Sequence, residues 1–286
     1  GTAFFWTFTV IGFEYAGKRV GSLPVNIIRL IFGFTFLTIT VLFIEGSFFA
    51  MDASGYQWSM LLISGVIGLV IGDLFLFQAF VDIGGRLSLL IYSSVPILTS
   101  LLGYFFFDET FDLLTILGIV ITLTAISVVI LSKRDDDNKI HPKLLKGIVF
   151  ALIGAVAQAV GLVFSKWGMG SNIDPFAATQ MRVIAAIVGF VIFIFIKREW
   201  RSVKTAFGDK TALKFIILGS VFGPFLGVAS SLAAMNYTSI GVSTTIAQLN
   251  VILIIPFSVV LFEDKVNALE VIASIFAFIG VALLFL

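Results

Sequence analysis

Four charged side chains stand where charge is expensive. Glu14, Arg29, Asp73 and Arg182 each interrupt a run of otherwise apolar residues. A central Asp, Lys or Arg costs roughly 2.5–3.5 kcal/mol on membrane-insertion scales, so charges that persist in such runs tend to have a task. Asp73 is the deepest of them, about four residues from the middle of its run. A carboxylate there can carry a proton or hold part of a solute, which makes Asp73 a coupling candidate. It can also be a packing acid, protonated or capped by a neighbour. Glu14 and Arg29 lie about one turn inside successive runs and near one face, where they can form an ion pair that pins a hairpin. Arg182 has no acid within its own half's core. Its guanidinium can receive a carboxylate or phosphate through two parallel hydrogen bonds, or snorkel toward Asp174 and the membrane surface.

Other polar residues in the runs suggest the wall of a solute cavity: Trp6, Tyr92, Ser93, Gln158, Gln248 and Asn250, joining Asp73 and Arg182 as candidate substrate contacts. Pro96 and Pro256 stand within runs and are expected to break helices, because proline lacks the N–H that a helix requires. Each freed carbonyl can face a cavity. The bland alternative for the serines and amides is hydrogen bonding between helices. Some chemistry is excluded. There are no cysteines and one histidine, His141, in a charged stretch. A thiolate metal site, a disulfide framework and a histidine-based triad are out of reach of one chain. No cofactor is expected, and no enzyme activity. A net charge of +1 gives no support for nucleic-acid binding.

The elements that must position these residues are apolar and long. Hydrophobic residues make up 59% of the 286 positions and charged residues 12%, about half the charged share of a soluble domain. Ten apolar segments can be drawn, approximately 2–17, 24–44, 58–80, 87–106, 112–131, 144–165, 175–196, 213–235, 242–262 and 267–286. Most approach the roughly 20 residues needed to cross a bilayer core as helix. Helices satisfy every backbone group internally, which lipid demands. The reading is an all-α integral membrane protein of ten transmembrane helices. Turn residues mark the breaks: Gly21, Ser22 and Pro24; Asp82, Gly84 and Gly85; Asn172, Asp174 and Pro175. Trp58, Trp167 and Trp200 fall at segment ends and read as interface anchors.

The two halves echo each other. Shifting the first by 155 positions places Gly68 on Gly223, Gly72 on Gly227, Ser93 on Gln248 and Glu109 on Asp264. This divides the chain into residues 1–132, a polar linker 133–143, and residues 144–286. Five helices repeated in tandem must insert with opposite orientations, an arrangement common in secondary transporters. Glycines 68 and 72, and 219, 223 and 227, have the small-xxx-small spacing that lets helices pack backbone to backbone. Fifteen of the eighteen basic residues fall in loops on one side, which predicts that side to be cytoplasmic and both termini outside.

The stretch from Gly72 to Leu131, with Pro96 in the fourth segment, Glu109 after it and Gly118 in the fifth, resembles the end of an EamA repeat of the drug/metabolite transporter superfamily. Lys18 and Arg29 also resemble that repeat, and the stretch from Phe262 to Leu286 echoes it more loosely. The resemblance implies two inverted five-helix repeats, both termini cytoplasmic, and export or exchange of small metabolites, amino acids among them. The implied location is a prokaryotic cell membrane, and the partners are the lipid bilayer, a small-molecule metabolite and, where Asp73 couples, protons. No nucleotide-binding loop of the GxxxxGK[ST] type occurs, so ATP is not the expected energy source. A channel, or a scaffold or receptor without transport, is the alternative.

Overall fold

The computed structural model describes residues 1–50, 52–106, 113–131, 141–170, 172–237, 240–262 and 267–283. Every described element is helical. In chain order they are α1 (Thr2–Val20), α2 (Ser22–Glu45), α3 (Gly55–Ile83), α4 (Gly85–Phe106), α5 (Leu113–Leu131), α6 (Pro142–Met169), α7 (Pro175–Lys197), α8 (Trp200–Gly208), α9 (Lys210–Met235), α10 (Ile240–Ala247), α11 (Asn250–Phe262) and α12 (Ala268–Leu283). Seven of these, α2 to α7 and α9, are long and apolar enough to cross a membrane. The expectation of ten spans is thereby met by seven on length and composition. α1 carries Glu14, Lys18 and Arg19, and α10 to α12 are shorter. Phe43, Phe105, Leu113, Phe195 and Ile196 stand exposed on the outside, as residues facing lipid tails would. The chain is an integral, multi-pass membrane protein.

The helix ends follow from local chemistry. Gly21 (φ 89°) and Gly84 (φ 81°) turn the chain between α1 and α2 and between α3 and α4 in a backbone region that side chains avoid. Ser54 and Gln57 form a reciprocal capping box at the start of α3. Asp174 accepts from the backbone N–H groups of Phe176 and Ala177, with Pro175 at the first helical position of α7. α8 escaped the sequence reading because it is short and amphipathic rather than apolar.

Asp209 caps α9, accepting from the N–H groups of Thr211 (3.1 Å) and Ala212 (3.0 Å), and it pairs with Arg19 (3.0 Å). The Ala212 N–H first, and Arg19 next, hold its carboxyl below the usual carboxylate range. A depressed acid stabilises the fold above its unfolded value, about 3.9, and that contribution fades as pH falls through the lower folded value. The wild type should therefore out-melt Asp209→Ala near neutral pH and lose that advantage in acid. Melting curves of both proteins in detergent across pH check this; a constant gap would remove the charge from the explanation.

Two helices change pitch midway. Residues Gly65–Gly72 of α3 and Val221–Gly227 of α9 wind as π-helix, a wider turn often found at functional sites. In α9 the cause is visible: Pro224 lacks the N–H that an α-turn needs, and Gly33 of α2 leaves room for its ring, since a Cβ there would lie 2.8 Å from Pro224 Cγ. α4 is interrupted at Ser93 and Ser94, and the chain is interrupted again at Gln248 and Leu249 between α10 and α11. The expected proline breaks are thus corrected. Pro96 sits in the first turn of the helical piece Val95–Phe106, where its missing N–H costs little. Pro256 lies inside α11 without ending it. The interruption comes eight residues earlier, at Gln248.

The helices of the two halves interleave. α1 packs along α9, α3 along α6, α2 against α7, α5 against α12, and the end of α4 against α10. Glycines make these contacts close. A Cβ on Gly161 would lie 2.9 Å from Gly68 Cα, one on Gly12 2.9 Å from the Phe215 carbonyl oxygen, and one on Gly280 2.8 Å from that of Gly118. The small-residue spacing therefore does serve backbone packing. Glu109, Asp264 and most of the polar linker lie outside the described residues.

Candidate functional site

α1, α3, α4, α6, α9, α10 and α11 surround a cavity open to about 70 Å³ of water centres. A water needs about 10–15 Å³ by this measure, so the space suits a few waters or a solute of few atoms. Its polar lining comes from both halves: Asp73, Tyr92 and Trp6 from one, Gln158, Gln248 and Asn250 from the other. These are six of the eight expected substrate contacts. Ser93 is not among them. Its hydroxyl donates to the Leu90 carbonyl oxygen at 2.5 Å and serves the break in α4. Arg182 also stands off the lining, beside it.

Asp73 begins the α-helical turn that follows the π stretch and is 8% exposed. Its carboxylate takes a charge-assisted hydrogen bond from Arg29 Nη2. Arg29 is held in turn: its Nε donates to Asn26 Oδ1 at 3.1 Å, and its guanidinium lies over Phe77, 4.5 Å from the ring centre. Asn26 Nδ2 reaches the main-chain oxygen of Asp73 at 3.4 Å. The expected Glu14–Arg29 pair is replaced by two others. Glu14 meets Lys18 at 2.7 Å, and its carboxylate lies against Gly84 and Gly85 at the start of α4, where the helix dipole favours negative charge. The sequence put Glu14 and Arg29 at similar depths, but α3 brings Asp73 to Arg29 instead.

Arg182 does not snorkel. It is fully buried in α7, and Asp174 is occupied as the cap of that helix. Its Nε, Nη1 and Nη2 find no hydrogen-bond partner among the described residues. Nη2 would lie 3.1 Å from a Cβ on Gly68, and Gln158 Oε1 would lie 3.4 Å from the same point. On the cavity wall, Gln248 Oε1 and Asn250 Oδ1 are likewise unpartnered among the described residues.

Sequence reasoning missed Asn26, Ser231, Ser243 and Thr244. Trp6 Nε1 donates to Ser231 Oγ at 3.3 Å, and Ser243 Oγ donates to the Ser231 carbonyl oxygen at 3.1 Å. Thr244 stands four residues before Gln248, hence on the same helical face, a signal the sequence did hold. Among the described residues no three His, Asp or Glu side chains converge as a metal would require.

The arrangement can bind a small polar solute in an apolar shell, with one ion pair on the wall and one guanidinium beside it. Comparison with known proteins bears on what such a bundle is. A solved crystal structure aligns with 99% of this chain and 97% of its own at a TM-score of 0.58 and 14% identity, a likeness of fold alone. A Bacillus subtilis (strain 168) protein described as the uncharacterized transporter YxxF is 24% identical over 126 residues, 44% of this chain. That match spans 39% of the relative's own length. The model of the EamA-like transporter family matches residues 1–131 and 145–286. With nearly every residue of the cavity-bearing bundle inside those two matches, the chain belongs to the EamA-like transporter family.

Proposed function

We propose that this protein is a secondary transporter that moves a small metabolite, such as an amino acid, outward or in exchange, by alternating access around the central cavity. The observation that carries the reading is that cavity, walled by polar side chains from both halves and enclosed by apolar helices. Such placement between repeats is where secondary transporters hold their solutes.

An inverted duplication of two five-helix units, spanning ten times in all, supports the mechanism. The π stretches of α3 and α9 fall at positions 155 apart, and so do the interruptions at Ser93 and Gln248. Asp73 and its counterpart Val228 both follow a π stretch and both line the cavity. The pairings α1 with α9 and α3 with α6 exchange when α1 is matched to α6 and α3 to α9. Two structurally similar halves around one solute can trade places as the open and closed side.

Asp73 is our coupling residue. It lines the cavity while paired to Arg29, so a proton on Asp73 and a solute group on Arg29 are alternatives to the same ion pair. In proteoliposomes under a pH gradient, wild type should move small metabolites, and Asp73→Asn, compared at equal amounts of reconstituted protein, should lose the proton-driven part of that flux. Unchanged pH dependence in Asp73→Asn removes Asp73 from coupling. No flux of any metabolite in a broad screen counts against the transporter reading, and unitary conductance in a planar bilayer would favour a channel.

A further inference from the structure

We propose that Arg182 is the receptor for a carboxylate on the solute, which makes the substrate class a small monocarboxylate bearing a hydrogen-bond donor at its other end. This rests on the transporter reading above and deepens it.

Charge balance points there first. Around the cavity, the Asp73 carboxylate is already matched by the Arg29 guanidinium. Arg182 adds a second positive charge, fully buried, with all three nitrogens unpartnered among the described residues. Burying a charge without a partner is strongly unfavourable, and a solute carrying one negative charge removes that penalty. Nη1 and Nη2 are both available, so a carboxylate can be held by two parallel bonds, the geometry that distinguishes arginine from lysine.

Access is provided by a glycine. Gly68, inside the π stretch, has no side chain at a point 3.1 Å from Arg182 Nη2 and 3.4 Å from Gln158 Oε1. Gln158 lines the cavity and Arg182 lies beside it. A swing of the flexible Gln158 amide opens the guanidinium to the solute. Across the wall, Gln248 Oε1 and Asn250 Oδ1 offer acceptors without donors. An ammonium or hydroxyl on the solute fits them. The cavity has room for several waters, which suits small members of the class.

The test uses acetate, the simplest carboxylate that fits. Thermal unfolding of the purified protein in detergent is followed with sodium acetate, with acetamide and with sodium chloride at matched ionic strength. Wild type should be stabilised by acetate beyond chloride, and not by acetamide. Arg182→Met should abolish the acetate effect and melt higher than wild type in its absence, because it removes an unpaired charge. Arg182→Lys should raise the acetate midpoint by about tenfold or more. Gly68→Ala keeps the arginine and narrows the approach to it; it should weaken acetate in the same direction even where Arg182→Met fails to fold. An acetate response that matches chloride in wild type, or that survives in Arg182→Met or unchanged in Gly68→Ala, overturns the proposal. The measurement needs no transport. An Arg182-dependent acetate response without flux in proteoliposomes keeps the carboxylate site and removes the transporter reading. Flux with an acetate response indifferent to Arg182 does the reverse.

Discussion

Arg29→Met should cost about 3–5 kcal/mol of stability, because it strands a buried carboxylate. Asp73 is 8% exposed, and Arg29 is its salt-bridge partner. Methionine keeps most of the side chain's length and its contact with Phe13 and Phe77, so the loss is chiefly one of charge and hydrogen bonds. The Arg29 guanidinium also donates to Asn26, which reaches to the Ser22 carbonyl oxygen and to the main chain of Asp73. Removing it loosens the junction of α2 with the turn that follows the π stretch. A double variant separates pairing from packing. Arg29→Met with Asp73→Leu leaves neither charge behind, and replacing a buried pair by apolar residues of similar volume is often neutral. The double variant should therefore melt above Arg29→Met alone. Detergent melting of the two singles and the double measures the coupling. A double variant that melts below both singles would show that the pair is not what holds this junction. Flux should not follow stability: the double variant folds but lacks the ionisable wall, so a stable yet inactive protein is the expected outcome.

Much of this was legible in the chain. Apolar runs and turn residues located α2 to α7 within a few residues, because lipid leaves the backbone few choices. The glycine spacing foretold that α3 and α9 pack closely through their backbones, but not that their partners are α6 and α1. Six of eight candidate contacts reached one cavity, because a polar side chain in an apolar run has few places to go except inward. Pairing was not legible. Glu14 and Arg29 sit at similar depths in adjacent helices, but depth says nothing about rotation around the helix axis. The π stretches were equally hidden. They alter the turn by a fraction of a residue, and that shift decides which side of α3 faces the cavity. Pro256 misled because a proline's effect depends on what surrounds it, whereas the interruption at Gln248 matches that at Ser93 without a proline at the position matching Pro96.

Gly65→Ala should be the most damaging glycine substitution in α3. A Cβ at Gly65 would lie 2.2 Å from the carbonyl oxygen of Arg182 and 2.9 Å from its Cα. Both are backbone atoms, so no side chain can rotate away and α7 must move as a body. Alanine gains roughly 1 kcal/mol of intrinsic helix preference over glycine. Overpacking between two helices costs about 1–3 kcal/mol and occasionally more, and here the intruding atom meets rigid backbone. The net effect should be destabilising. Gly55→Ala, in the same helix, is the control: a Cβ there meets nothing within 4 Å, so propensity alone should act and stability should hold or rise. The two variants differ in what the added methyl touches and in place, Gly55 opening the helix and Gly65 opening its π stretch. Gly65→Ala also displaces the main chain that carries Arg182, so whatever that guanidinium binds should weaken with it, while Gly55→Ala leaves it intact. Detergent melting of both variants decides the matter. Equal stability would mean that α3 and α7 are not held at backbone contact. A lower melting temperature for Gly65→Ala alone ties the glycine of the π stretch to the position of the arginine behind the cavity wall.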